Sequence, residues 1–161
     1  MAIWARIKSL DLRQFMLLSR AFITNPRYII PTFKATKKTV EICDISFGKK
    51  HHEDNPTNAF RHALWNFIIC EKCYRVSGSL EKTIFWTKKI TDLHENLFPN
   101  NPLAKEMDLH NNFVGRELFK AHLGKEPDPV EILNKLMLKA EKVKSIEEIK
   151  MSKNNLVYVK S

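Results

Sequence analysis

Glycine is scarce in this chain, with 4 residues among 161. That is few for a dinucleotide-binding or all-β chain, and neither a phosphate-cradling loop nor a Gly-x-Ser-x-Gly nucleophile turn is present. Three cysteines cannot build a disulfide framework. Cys70-Glu71-Lys72-Cys73 has C-x-x-C spacing, but it lies in an apolar helical pattern with no strand before it and no second pair. Cys43, Cys70 and Cys73 therefore read as buried free thiols. Long apolar runs are also missing. No stretch approaches the ~18 uncharged residues of a spanning helix, and Phe15-Met16-Leu17-Leu18 is too short for a secretory leader. The expectation is a cytoplasmic protein without a transmembrane segment, associating at most peripherally with the inner membrane.

What the chain does have is helix formers, apolar residues at 43% and charge at 28%, the balance of a folded single domain. The net charge is +9, and it is concentrated at one end. Residues 1–50 carry 10 Lys and Arg against 3 Asp and Glu, while residues 51–161 carry 17 against 15. A basic N-terminal region with Leu10, Phe15, Leu17, Leu18 and Phe22 suits an anionic membrane surface or an acidic partner. Nucleic acid ranks last as a partner, because neither a base-reading motif nor an aromatic platform accompanies the basic charge.

Hydrophobic periodicity predicts an all-α, single-domain bundle of about six helices with a short extended C-terminal tail. Residues 1–50 supply basic N-terminal helices, 51–122 a central core and 123–161 a C-terminal helix and tail. The first helix spans about 9–24 from an N-cap at Ser9. The second spans about 32–47, with a stripe of Phe33, Thr36, Val40, Cys43 and Phe47. The third runs over about 58–74 behind Thr57 and is apolar nearly all round, which marks it as the buried centre. The fourth covers about 80–97 and the fifth about 104–122. The sixth starts at Asp128-Pro129-Val130-Glu131, an N-cap with Pro at N1, and runs to about Lys144. Residues 145–149 fit another short helix. Leu156-Val157-Tyr158-Val159 has β propensity without an evident partner strand. Between the second and third helices, His51-His52-Glu53-Asp54 has the composition of a metal binder or of a solvated loop.

One face of the fifth helix breaks the amphipathic rule. Asp108, Asn111, Asn112, Gly115 and Arg116 fall at i, i+3, i+4, i+7 and i+8, where a core-facing helix places apolar residues. The third helix adds Asn58, Arg61 and His62, and the fourth adds Asp92, His94 and Glu95. In a bundle such groups can converge on one interior site.

Two chemistries stay open for this set. With a divalent metal such as zinc or manganese, His62, His94 and Asp108 supply two imidazoles and a carboxylate, with Glu95 as a further ligand or general base. Without a metal, Glu95 or Asp108 orients His62 or His94 as a general base. In either case Asn58, Arg61, Asn111, Asn112 and Arg116 would bind a phosphate-bearing or lipid-like substrate. The expected function is hydrolysis at catalytic residues His62, His94, Glu95 and Asp108. The alternative is a non-enzymatic module lying on an anionic membrane or partner. In that case the polar residues form a buried network that fixes helix register, with Asp108 paired to Arg61 or Arg116.

Three blocks of this sequence resemble a bacterial all-helical domain family. They are Asn58-Ala59-Phe60-Arg61-His62-Ala63-Leu64-Trp65, Asp92-Leu93-His94-Glu95, and Asp108 through Arg116 with Asn111-Asn112 and Gly115-Arg116. The family is associated with C-terminal modules of polymorphic toxins and with short stand-alone proteins. The resemblance covers about residues 50–122. It implies that the named polar residues and Gly115 are motif positions, and it implies no particular activity. The order His…His-Glu…Asp is also similar to the His…His-Asp…Asp set of metal-dependent phosphohydrolases, with Glu in place of Asp and different flanking residues.

Overall fold

Cap residues set most of the helix boundaries. The computed structural model describes residues 11–97 and 101–160; the N-cap expected at Ser9 lies outside them. Helix α1 (Leu12–Thr24) begins instead at Asp11, whose side chain accepts from the Gln14 amide while Gln14 reaches back to the Asp11 amide. This reciprocal pair satisfies two of the donors that every helix start leaves open. A 3₁₀ turn at Pro26–Tyr28 leads into α2 (Ile29–Phe47). A second 3₁₀ turn, Lys50–His52, precedes α3 (Pro56–Ser77). The cap of α3 is Asn55, accepting from the Thr57 and Asn58 amides, with Pro56 at N1 rather than Thr57 as the cap. Helix α4 (Leu80–Leu97) follows Gly78, which caps α3 in the left-handed conformation at φ 62°. Asn101 caps α5 (Pro102–Ala121), and Asp128 caps α6 (Pro129–Met137).

The all-α expectation holds: the chain is 77% helical, with seven α-helices and one small sheet among the described residues. Helix α3 is the centre. Its Ala59, Phe60, Ala63, Leu64, Ile68, Ile69 and Cys73 are buried in the main core with Trp86 and Ile90 of α4, Val114 of α5 and Leu133 of α6. Burying each of the Leu, Ile, Val and Phe side chains among them stabilises by roughly 1.5–3 kcal/mol. The indoles are partnered as well as packed. Trp86 Nε1 donates to Thr32 Oγ1 at 3.0 Å and Trp65 Nε1 to Thr36 Oγ1 at 2.9 Å, so hydroxyls of α2 are at home against the core.

Those hydroxyls explain a rotation of α2 relative to its apolar stripe. The buried residues are Pro31, Thr32, Ala35, Thr39 and Cys43, while Phe33 stands out and is 47% exposed. In α1, Leu18 and Phe22 pack on the core but Leu12, Phe15, Met16 and Ile23 face outward.

The C-terminal region departs most from expectation. Helix α6 stops at Met137, not near Lys144, because Glu141–Lys142 forms strand β1. The tail does have a partner: β2 (Val157–Tyr158) pairs with β1 in parallel, Glu141 opposite Val157 and Lys142 opposite Tyr158. A parallel pair needs a crossover, and α7 (Ile146–Met151) lies within it. None of the helices among the described residues is long and apolar enough to cross a membrane.

Candidate functional site

The polar face of α5 meets α3 at very short range. A Cβ at Gly115 would stand 2.1 Å from the Ala63 carbonyl oxygen, so the two backbones touch where position 115 carries only hydrogen. This approach lets short amide side chains bridge the helices.

His62 sits at the middle of the bridge and is 3% exposed. Its Nδ1 is 3.1 Å from Asn112 Oδ1 and 3.5 Å from Glu95 Oε1. Its Nε2 is 2.9 Å from the Arg61 guanidinium and 3.3 Å from Asp108 Oδ1. A guanidinium can only donate, so Nε2 is an acceptor and the ring proton lies on Nδ1, pointing at Asn112. The amides agree with that tautomer. Asn112 Nδ2 donates to Glu95 at 3.0 Å, which leaves Oδ1 to accept from His62 and from Asn66 Nδ2 at 2.6 Å.

Asp108 is buried, accepts from Asn58 Nδ2 at 3.3 Å, and faces Nε2 of His62. Burial is the largest influence on its carboxyl. The nearby Glu95 charge adds to it and Asp54 adds less, while Arg61 and the Asn58 hydrogen bond oppose; the result is a pKa pushed up to about 8. The shift favours the protonated carboxyl at neutral pH, and Asp108 Oδ1 faces the same Nε2 that accepts from Arg61. Arg61 also donates to Asn58 Oδ1 at 2.5 Å. Arg61, Trp65 and His94 are only half-buried, and they mark the side of the cluster closest to solvent.

At the inner end of the network stand Asn66 and Thr91, which were not among the expected site residues. Asn66 is fully buried. It donates to His62 O and to Asn112, and accepts from Arg116 at 2.8 Å and from Thr91 Oγ1 at 3.2 Å. Its signal was an amide four residues after His62 inside an otherwise apolar helix. Thr91, four residues before Glu95, gave a similar signal on α4.

The structure separates the predicted residues into groups. Asn58, Arg61, His62, Glu95, Asp108 and Asn112 come together. Arg116 lies at the far end on Asn66 and Thr91, so it is not the partner of Asp108, and burial lowers its pKa from the usual arginine value. Asn111 does not join the cluster: its amide donates to Val157 O at 2.9 Å and accepts from Val157 N at 3.0 Å. Both functional groups are thus engaged in holding β2. His94 packs edge-on against Trp65, with ring centroids 5.1 Å apart. Among the described residues, the His, Cys, Asp and Glu side chains whose ligand atoms gather within 4.8 Å as a three are Asp44, His51 and His52, not His62, His94 and Asp108. A groove between α1 and α4 is lined by Leu17, Arg20, Thr24, Lys89, Asp92 and Asn96. Asp92, ion-paired with Lys88, belongs to that groove.

The three cysteines are buried, and desolvation pushes each thiol up to about 12. Held in the protonated form, they are weak nucleophiles.

No curated protein and no solved structure matches the chain. A family model described as a domain of unknown function, DUF6973, matches residues 19–144, a span that contains all three motif blocks and every residue of the cluster. The chain belongs to the DUF6973 family.

Proposed function

We propose that this protein is a hydrolase in which His62 and Asp108 exchange protons with an anionic, phosphate-bearing or lipid-like substrate. The observation that carries the reading is the contact between an unprotonated imidazole nitrogen and a carboxyl that burial pushes toward its neutral form, with an arginine on the same nitrogen. A substrate anion draws Arg61 away from Nε2, since a guanidinium prefers two anionic oxygens to one imidazole. Nε2 then takes a proton from the attacking water. The Nδ1–H, held by Asn112 and Glu95, keeps the ring oriented and stabilises the imidazolium. Asp108, with a pKa near the working pH, gives its proton to the leaving oxygen. The imidazolium then returns a proton to Asp108, so one water is consumed and the site is restored. The association of the resembled family with toxin modules fits a hydrolytic activity; an accessory role of the stand-alone chain fits it equally. A metal-assisted form on His62, His94 and Asp108 would require the His94 ring to leave Trp65.

The test is turnover of phosphomonoesters, phosphodiesters and acyl esters by the purified chain. His62→Ala and Asp108→Asn should each reduce turnover by about 10²-fold or more. Variants that turn over as the native chain does would overturn the reading.

A second reading has its own observation. Leu12, Met16 and Ile23 form an outward apolar ridge on α1, with Leu12 75% and Ile23 77% exposed, flanked by Arg13 and Arg20. An apolar ridge with basic flanks suits the surface of an anionic membrane, the inner membrane in a cytoplasmic setting. Flotation with vesicles containing anionic lipid should carry the native chain and leave a Leu12→Glu/Ile23→Glu variant behind. Equal flotation of both would remove this reading.

A further inference from the structure

A second cluster of titratable side chains stands apart from His62, at the corner between α2 and α3. Asp44 lies in the last turn of α2. Gly48, at φ 58°, reverses the chain, a conformation that L side chains rarely adopt. The following turn, Lys50–His52, folds back so that His51 Nε2 lies 2.9 Å from Asp44 Oδ1. The His51 and His52 rings are 4.0 Å apart between centroids and tilted by 41°. One ligand atom from each of Asp44, His51 and His52 lies within 4.8 Å of the other two.

His51 is fully buried, and its Nδ1 has no hydrogen-bond partner. Here one nitrogen is directed at a carboxylate with a second imidazole alongside. Asp44 and His52 are exposed, so an ion can enter from solvent and retain water.

We infer that Asp44, His51 and His52 bind a divalent transition ion of the zinc class, which fastens the end of α2 to the loop leading into α3. Two imidazoles and one carboxylate suit zinc, cobalt, nickel or copper, whereas calcium and magnesium favour all-oxygen sets. Coordination uses the Nε2 lone pair of His51 and places the ring proton on Nδ1, replacing the hydrogen bond to Asp44. The sequence run His51-His52-Glu53-Asp54 contains two of these ligands, but its own acids are not the third. Asp44, seven residues before His51 and on the preceding helix, takes that place. The same loop carries Asp54, whose charge helps raise the Asp108 pKa. The ion would therefore steady a loop beside the His62 cluster without touching that cluster.

Metal-stripped full-length protein titrated with zinc chloride in a calorimeter tests this. One equivalent should bind. Asp44→Ala and His52→Ala, both at exposed positions, should each weaken binding by about tenfold or more while circular dichroism stays native. His62→Ala should bind zinc as the native chain does, so a failed hydrolase assay leaves this result untouched. Absence of binding at millimolar zinc would overturn the inference. So would Asp44 and His52 variants of native affinity, or a loss seen only in His62→Ala.

Discussion

Gly115 and Ala63 are packed backbone to backbone: the first methyl group added to residue 115 would meet the Ala63 carbonyl oxygen at 2.1 Å. Because the obstacle is main chain, no side-chain rotation relieves it. Gly115→Ala should destabilise the fold by about 3 kcal/mol or more. It should also separate α3 from α5, lengthening the His62–Asn112 contact. Urea denaturation measures the first effect, and the imidazole Nδ1 proton in the NMR spectrum reports the second.

Asp108 binds its proton more tightly in the folded chain than in the unfolded one, since its pKa rises from 3.8 to about 8. Between those values the folded state holds more protons. This contribution to stability is fully present below about pH 4 and is lost as pH rises through about 8. Glu95 on α4, His62 and Arg61 on α3, and Asp54 in the preceding loop all face or influence the same carboxyl, so the native chain alone does not isolate it. The comparison with Asp108→Asn does. The variant should lack about 2 kcal/mol of the decline seen between pH 6 and 8, using about 1.4 kcal/mol per unit. Urea melts across that range check it, and parallel curves for the two proteins would contradict the assignment.

Asn66 has four hydrogen-bond partners on three helices. Asn66→Ala removes the acceptor of the buried Arg116 and the donor to Asn112. The expected loss is about 2–4 kcal/mol, most of it from the charge left without that acceptor. A double-mutant cycle of Asn66→Ala with Asn112→Ala should give a coupling energy of at least about 0.5 kcal/mol.

Asn111 holds the Val157 amide and carbonyl like a neighbouring strand. Asn111→Ala should speed hydrogen exchange at the Val157 amide well ahead of amides in α3. The titration of Asp108 should stay near its native position, which distinguishes a tail clamp from a member of the His62 cluster.

Cys43, Cys70 and Cys73 should resist aromatic disulfide reagents in the folded protein and react promptly in denaturant, because burial holds the thiols in the protonated form. Fast labelling of any of them under native conditions would contradict this.

Much of the cluster was legible because its residues interrupt helical periodicity. Asp108, Asn112 and Arg116 occupy positions where apolar side chains belong, and His62 and Glu95 break their own helices in the same way. Asn66 escaped attention because a single amide within an apolar run looks like noise until its partners on α4 and α5 are in place. The start of the α2 stripe was misplaced by one residue for a related reason, while its Cys43 and Phe47 do meet the core. Hydropathy ranks Phe33 above Thr32, and it is blind to an indole donor waiting in the core. The end of α6 was misjudged because Ala140 and Val143 fit a helical pattern as well as an extended one, and only Val157 and Tyr158, distant in sequence, decide between them. Arg116 and Asn111 were grouped with Asp108 by spacing alone. Spacing identifies a shared face but not the neighbour each residue meets there.

The tail attached to Asn111 also orders events in time. The Asp54 carbonyl, beside the start of α3, accepts from the Val159 and Lys160 amides, while Val157 is fastened to α5. Contacts spanning so much sequence form late, after local helices are in place. During synthesis α3, α4 and α5 can coil and begin to associate as they emerge. The loop bearing Asp54 receives these anchors only when residues 157–160 leave the ribosome. The surroundings of Asp108 are completed by a segment translated long after Asp108 itself.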